Sequence, residues 1–577
     1  MTAGFAARLT VAIAFTISIA APAIAETGSA PNRAFKDQVT QFVEAEMQLY
    51  PERATALGDH RFDDRVDDMS AQGIDAVIRH AKKWMALFGA DDARSLSPAD
   101  EADREWLISH ADGELLWTEQ VRSYQRDPDT YLPTSAVNAL IKREFAPAEI
   151  RMRSVTAREV AALKNLEAAQ RNLRPTLTPK VYIDIASQQM PATIAFFNND
   201  VPLAFAKVAD GPDKQAFAKA NANLILAIQD YAQWLKNELR PKASGDYAIG
   251  IGAYRRMLND ADMVDMPLEQ LEQVGVKELA RLRDEFQKTA AQIDPKRSPA
   301  EVMDSLTREH PDPAHVLPTV AAGLASIRAY VIAHHIATVP SDVMPMVRET
   351  PPYMRATTFA SMDSPGPFEK TPEAFFYVTL PDPTWPEAKK EQLLAFYSAP
   401  SISDTSVHEV FPGHYVQFLN NRHNPDIVRL IYGSGADIEG WAFYCEQMML
   451  DEGLHDGDPK YRLAQLQMAL MRACRYLVGI RMHTHGMTVD QAAKFFEDNA
   501  YQTPHNARVE ALRGTGDPGY LRYQLGKLMI LKLREDVRKQ QGAAFDLGKF
   551  HDAFLKQGAV PIKLIRRAML GSDGPLL

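Results

Sequence analysis

LEQLEQVGVKELARLRDEFQKTAAQI, residues 268–293, carries Leu268, Leu271, Val274, Leu279, Leu282 and Phe286 at helical intervals with charged residues between them. Apolar positions three and four apart line one face of a 3.6-residue helix, so the stretch predicts a long amphipathic helix lying on a core. The same spacing recurs at 32–50, 158–173, 214–239, 461–483 and 521–538. Ser298-Pro299-Ala300-Glu301 and Thr488-Val489-Asp490-Gln491 have the form of capping boxes, and Thr371-Pro372 also suits a helix start. Strand patterns are scarce. The best is A-F-F-Y-V-T-L at 374–380, rich in aromatic and β-branched residues and stopped by Pro381 and Pro383. The chain therefore reads as mainly α with one small β-sheet. A Pro/Ser/Gly break at 241–246 separates an N-terminal helical region, 26–245, from a C-terminal helical region, 246–577, the alternative being one continuous domain. A Pro-rich, hinge-like stretch follows at 339–367, and no fixed-period repeat points to a solenoid.

With 577 residues, 46% apolar and 24% charged, the chain has material for one large core or two to three domains. The net charge of -10, with no long basic run, leaves no electrostatic footprint for nucleic acid or an anionic membrane. Cys445 and Cys474 are the only cysteines, which excludes a disulfide scaffold and a Cys-rich metal site; two small buried side chains are the simplest reading of them. Residues 1–25 read as a secretory signal: Arg8, an apolar run at 9–21, then Ala23-Ile24-Ala25 as the cleavage pattern. No cysteine follows that site to carry a lipid, and no later run reaches about 18 uninterrupted apolar residues. The expectation is a soluble protein, periplasmic or secreted after cleavage near Ala25, without stable membrane insertion.

Most of the visible chemistry lies beyond residue 400. His408-Glu409-Val410-Phe411-Pro412-Gly413-His414 sets two imidazoles around an acid, and Glu439-Gly440-Trp441-Ala442 begins 25 residues later. Two histidines and a downstream carboxylate make the ligand set of a catalytic zinc, one ion per chain, and the free Glu409 suits a base that takes a proton from the metal-activated water. Two imidazoles and a carboxylate suit zinc better than a harder ion. Histidines six apart, however, sit about 600° around a helix and miss alignment by about 120°. Only a break or bulge at Pro412-Gly413 brings His414 back to His408. Of the acids, Glu439 is the better ligand than Glu446, which suits a supporting role or a pair with Arg472 or Arg475. Asp404 and Asp437 are lesser candidates, and Trp441 is most simply core packing.

H-E-x-x-P-G-H followed by E-G-W-A and a further acid seven residues on resembles the bacterial family called domain of unknown function 885, grouped with zincin-like metallopeptidases. The resemblance extends to Tyr50-Pro51, Ala54-Thr55 and Gly58-Asp59-His60-Arg61, and to Arg513, Pro518-Gly519, Tyr523 and Gly526. It implies a large helical, zincin-like fold with a deep cleft and zinc peptidase activity, similar in logic to the thimet oligopeptidase and carboxypeptidase groups of gluzincins.

Hydrolysis also needs a donor where the oxyanion forms. Candidates are His483, His485, Tyr520 and Tyr523, of which His483 and Tyr523 match the family pattern and are the expected catalytic partners of Glu409. Arg513, with Tyr520, is the expected substrate-binding group, since a guanidinium grips a carboxylate through two bonds. His310, His334 and His335 have no second acid in register and read as structural. The expected activity is exported zinc-dependent hydrolysis of peptides in a cleft. The alternatives are a metal-dependent hydrolase of a non-peptide amide or ester, and a non-catalytic helical binding protein with a residual metal site. The expected edge for an extended peptide substrate is the strand at 374–380. The sequence leaves the oligomeric state open.

Overall fold

The computed structural model describes residues 30–355 and 358–577, and the leader expected at 1–25 lies outside them. The structure is mainly helical, 71% helix, with one three-stranded sheet among the described residues. Leu268–Ile293 forms one helix, buried along Leu271, Leu279, Leu282 and Phe286. The stretches at 32–50, 158–173, 461–483 and 521–538 match Ala30–Leu49, Ala148–Asn172, Pro459–Thr484 and Arg522–Gln541 except for single end residues that lie outside the helices, while the one at 214–239 is α-helical over Pro212–Trp234 and ends in a π-helical turn, Leu235–Leu239. Both capping boxes are formed: Ser298 Oγ accepts from Glu301 N, and the Glu301 carboxylate accepts from Ser298 N at 2.8 Å. Thr488 and Gln491 repeat the arrangement. Thr371-Pro372, by contrast, opens no helix but leads into a strand, because a proline's fixed φ suits an extended entry as well as a first helical turn.

In the central helix, Pro459–Thr484, every residue from 469 to 480 is buried, and Leu463, Leu470, Cys474, Tyr476, Val478 and Ile480 lie in the core. The site is built against the two arginines of that buried stretch, Arg472 and Arg475. The main hydrophobic core joins residues 35–121 to residues 253–565, while residues 131–243 gather round a second core of their own. The break at 241–246 is one edge of that second core; the other lies just after Val121. Val316–Ala333 is the one helix among the described residues long and apolar enough to cross a membrane. Its stripe of Val316, Val320, Leu324, Ile327 and Val331 is buried in the main core. Both cysteines are buried and free.

The sheet has the order β1-β3-β2, with β1 Met346–Glu349, β2 Ala360–Asp363 and β3 Phe375–Val378. β1 runs parallel to β3 and β2 antiparallel to it, pairing Ala360 with Val378 and Asp363 with Phe375. The expected strand is therefore present but is no edge. β3 is paired on both sides and wholly buried, which is why it is the strand with a continuous apolar sequence. The edge facing the motif is β2, held at its end by Lys142 and Arg143 on the Asp363 carboxylate at 2.9 and 3.1 Å.

Candidate metal centre

The motif helix, Ala399–Glu409, stops where the sequence requires it to stop. Phe411 N reaches back to Ser406 O at 3.1 Å, Gly413 N bonds Val407 O at 3.1 Å, and a second helix, His414–Asn421, starts at once in a new direction. Gly413 is needed here because a Cβ would stand 1.8 Å from the carbonyl oxygen of His408. Trp441 Nε1 donates to Pro412 O at 2.9 Å, so this indole holds the turn as well as filling the core. The break cancels the angular mismatch of six residues, and the His408 and His414 rings come to 4.8 Å, nearly perpendicular.

The third member arrives on the ligand helix, Gly435–Asp451. Ser434 caps it, and the buried Asp262 accepts from Ser434 Oγ at 2.7 Å and Ala436 N at 2.9 Å. Asp262 also accepts from Arg522 Nε at 2.8 Å, so one carboxylate fixes the starts of both the ligand helix and the tyrosine helix, Arg522–Gln541. Those two helices touch backbone to backbone at Gly440 and Gly526, where a Cβ on Gly526 would stand 1.7 Å from Ala436 O. Glu439 and Tyr523 are thereby brought to the same side.

His408 Nε2 lies 3.7 Å and His414 Nε2 3.6 Å from Glu439 Oε2. The ligating atoms of all three residues fall within 4.8 Å of one another. Three ligands about 2.0–2.1 Å from one tetrahedral zinc stand about 3.4 Å apart, so the two His–Glu439 separations already suit such an ion and the imidazoles need only draw toward each other. Both imidazoles are buried, whereas the Glu439 side chain keeps 30% of its surface open. Behind the set, His408 Nδ1 meets Glu446 Oε1 at 2.7 Å, and Arg472 Nη2 meets the same oxygen at 3.0 Å. That contact fixes the tautomer that leaves Nε2 free to ligate. Burial and Arg472 oppose charge on His408, but Glu439 and Glu446 outweigh them and hold its pKa at about 9. Burial likewise opposes charge on Glu439, yet the two imidazoles keep its carboxyl well below the usual range.

Glu409 is half-buried, and its Oε2 accepts from Met362 N of β2 at 2.9 Å. The Tyr523 ring stacks 6.4 Å from His408, and its hydroxyl accepts from Arg513 Nη2 at 3.3 Å. Burial and the Glu439 charge raise the Tyr523 pKa, keeping it a hydroxyl donor. Arg513 lies on the arginine helix, Pro504–Gly516, with 41% of its side chain exposed.

Two expected site residues are elsewhere. His483 is buried at the far end of the central helix, its Nε2 at 2.8 Å from Gly514 O, with Tyr247 and Tyr254 around its ring. It stands eleven residues, about 16 Å of helix, beyond Arg472. Tyr520 is also buried, its hydroxyl donating to Glu510 Oε2 at 2.6 Å, while its ring face carries Arg475 and Arg513 at 5.1 and 5.5 Å. It supports Arg513 from its ring face, and its hydroxyl is spent on Glu510. Asp437 accepts from Gln417 at 3.3 Å, His310 pairs with Glu391 and His334 stacks on Tyr330. Asp262, the Trp441 hydrogen bond, the Met362 N–H and the buried Arg475–Glu510 pair at 2.6 Å were not expected. Of these, only Trp441 lies in a motif; the others are isolated residues brought in by tertiary packing.

In sequence, residues 51–569 match the family described as bacterial protein of unknown function, DUF885. The chain belongs to this family. Among solved structures, a DUF885 chain such as this one resembles a "putative lipoprotein of unknown function" from Shewanella oneidensis, 25% identical, with a TM-score of 0.78 over 93% of this chain and 99% of that one. A second, described as a "putative lipoprotein" from Colwellia psychrerythraea, is 18% identical with the same TM-score, over 94% of this chain and 99% of that one, and shares the fold. No curated protein matches this DUF885 member in sequence.

Proposed function

We propose that this protein is an exported, zinc-dependent peptidase of zincin-like design that hydrolyses peptides in a cleft. The observation that carries the reading is the convergence of His408 Nε2, His414 Nε2 and Glu439 Oε2 beside a fourth, non-ligating acid, Glu409, held on a sheet edge. A structural zinc site is closed by four protein ligands and has no use for a base, whereas three ligands with an open side suit hydrolysis. Bound zinc supplies Lewis acidity toward water and toward a carbonyl oxygen. The chain's own residues supply the rest. Glu409 accepts the proton of the attacking water and passes it to the leaving amine, exchanging its Met362 N–H contact for one to the substrate. Tyr523, kept protonated, donates to the developing oxyanion. Arg513, anchored on the Tyr520 face and next to the Tyr523 hydroxyl, binds a terminal carboxylate on the substrate. β2, with its outward Met362 N–H, offers a main-chain partner for an extended peptide.

Export to the periplasm or beyond is supported by the leader-like sequence at 1–25 and by the lipoprotein description of the two structural neighbours. The experiment is a peptide-library digest with the zinc-loaded protein, followed by mass spectrometry. Cleavage that stops on chelation and returns with zinc is expected. Inertness toward every peptide, with turnover of simple esters or amides, would replace the substrate class while keeping the chemistry.

A further inference from the structure

A cavity of about 480 Å³, large enough for a bulky side chain and more, is lined by helices that also carry residues of the metal centre. Met303, Met468, Met471, Phe359 and Phe396 give it apolar walls, and neutral polar groups such as Gln392, Gln467 and Gln502 complete the lining. The charged residues round it are paired with one another, Asp304 with Arg308 and His310 with Glu391, so the interior presents no free charge. Thioethers and aromatic faces adapt to apolar groups of varied shape.

Four walls of this cavity continue directly into the site. Ser401 and Thr405 line it, and Glu409 is the next residue on the same face of the motif helix. Met468 and Met471 line it, and one turn further along the central helix stand Arg472, on Glu446, and Arg475, over the Tyr523 ring. Asn506 lines it, and the same helix leads through Glu510 to Arg513. Phe359 immediately precedes β2, whose Met362 holds Glu409. From Glu409, Thr405 is about 6 Å and Ser401 about 12 Å along the helix, the reach of about two to three residues of extended peptide. Arg513 is seven residues, about 10 Å, beyond Asn506 along the arginine helix, away from the cavity.

We infer that this cavity is the subsite for a bulky apolar side chain two or three residues to the amino side of the scissile bond, in a peptide whose free C-terminus lies toward Arg513. The inference rests on the peptidase reading. It is tested with peptides of fixed C-terminal sequence carrying Leu, Phe or Ser at those two positions, on the zinc-loaded wild type, Met468→Trp, which fills the cavity, and Met303→Trp, which fills it from the opposite wall. Wild type should prefer Leu or Phe over Ser by at least about tenfold in kcat/KM, and either tryptophan should reduce that preference to about threefold or less. Zinc content and melting temperature identify a variant that has not folded, in which case the other one decides. No preference in wild type, or the same preference in a folded tryptophan variant, overturns the subsite. Calorimetric binding of a Leu-rich peptide to zinc-loaded Glu409→Gln separates the two proposals. If wild type cuts no peptide, the peptidase reading fails, yet binding weakened tenfold by adding Met468→Trp retains the cavity as an apolar peptide site. Equal binding by the two removes it.

Discussion

His80, His110 and Glu46 meet among the N-terminal helices much as His408, His414 and Glu439 meet behind the broken motif, and the two clusters use the same residue types differently. In the first, both Glu46 oxygens are already taken: His110 Nε2 is 3.1 Å from Oε1, while Arg53 and the Tyr432 hydroxyl donate to Oε2 at 3.1 and 2.6 Å. His80 stands off at 4.0 Å and stacks on Phe42. In the second, the imidazoles approach Glu439 only to 3.6–3.7 Å, beyond hydrogen-bond length, and no arginine or tyrosine donates to it. In the first, the Glu46 carboxylate is spent on protein donors, and only His80 Nε2 is left without a hydrogen bond. The second keeps coordinating capacity unspent, and that spare capacity, rather than the presence of His and Glu, is what marks a site for a metal.

The comparison can be broken first at Glu46. Burial opposes its charge, but His110, Arg53 and Tyr432 hold its carboxyl at about 2, against an ordinary 4.5. That difference corresponds to about 3 kcal/mol. The folded value is depressed, so the stabilisation is present above about pH 4.5 and is lost as pH falls toward 2. Denaturation of Glu46→Gln should therefore show a loss of about 3 kcal/mol at pH 7, shrinking below pH 4.5, with zinc content unchanged. A pH-independent difference would mean that packing, not charge, gives Glu46 its effect.

Effects at the other cluster should appear in chemistry before stability. Glu409→Gln should keep zinc while lowering turnover by at least about 10²-fold, the scale for loss of a general base. Loss of zinc in that variant would make Glu409 a ligand. A smaller effect is expected behind the ligands: Glu446→Ala leaves His408 Nδ1 to Arg472 alone, and zinc affinity, measured by competition with a chelator, should weaken by about 10–100-fold. Undiminished affinity would confine Glu446 to neutralising Arg472.

These two clusters also differ in how far the sequence reveals them. His408, His414 and Glu439 are legible as a cluster because they sit in short motifs whose spacing converges only when the helix breaks at Pro412-Gly413. Glu46, His80, His110 and Tyr432 are joined only by helix packing over almost four hundred residues, and no local pattern announces them. The fold shows the same contrast. The helix at 268–293 is legible to the residue because its period is set by its own burial. β3 is legible as a strand, but its central place is not, because β1 and β2 are four-residue strands with mostly half-exposed sequences that carry no alternation. The surroundings of His483 and Tyr520 are illegible for a related reason. A histidine at a helix end and a tyrosine near a conspicuous arginine look alike whether they face a cleft or a buried carbonyl, and only Gly514 O and Glu510, supplied by the arginine helix, decide the matter.

The central claim is that unspent coordination at His408, His414 and Glu439 holds a catalytic zinc, whereas the satisfied set at Glu46 holds none. Zinc stoichiometry by mass spectrometry on purified wild type, His110→Ala and His414→Ala tests it most directly. The account predicts about one zinc per chain in wild type and His110→Ala and close to none in His414→Ala. A folded His414→Ala protein that retained its full zinc, or a loss of zinc confined to His110→Ala, would contradict it.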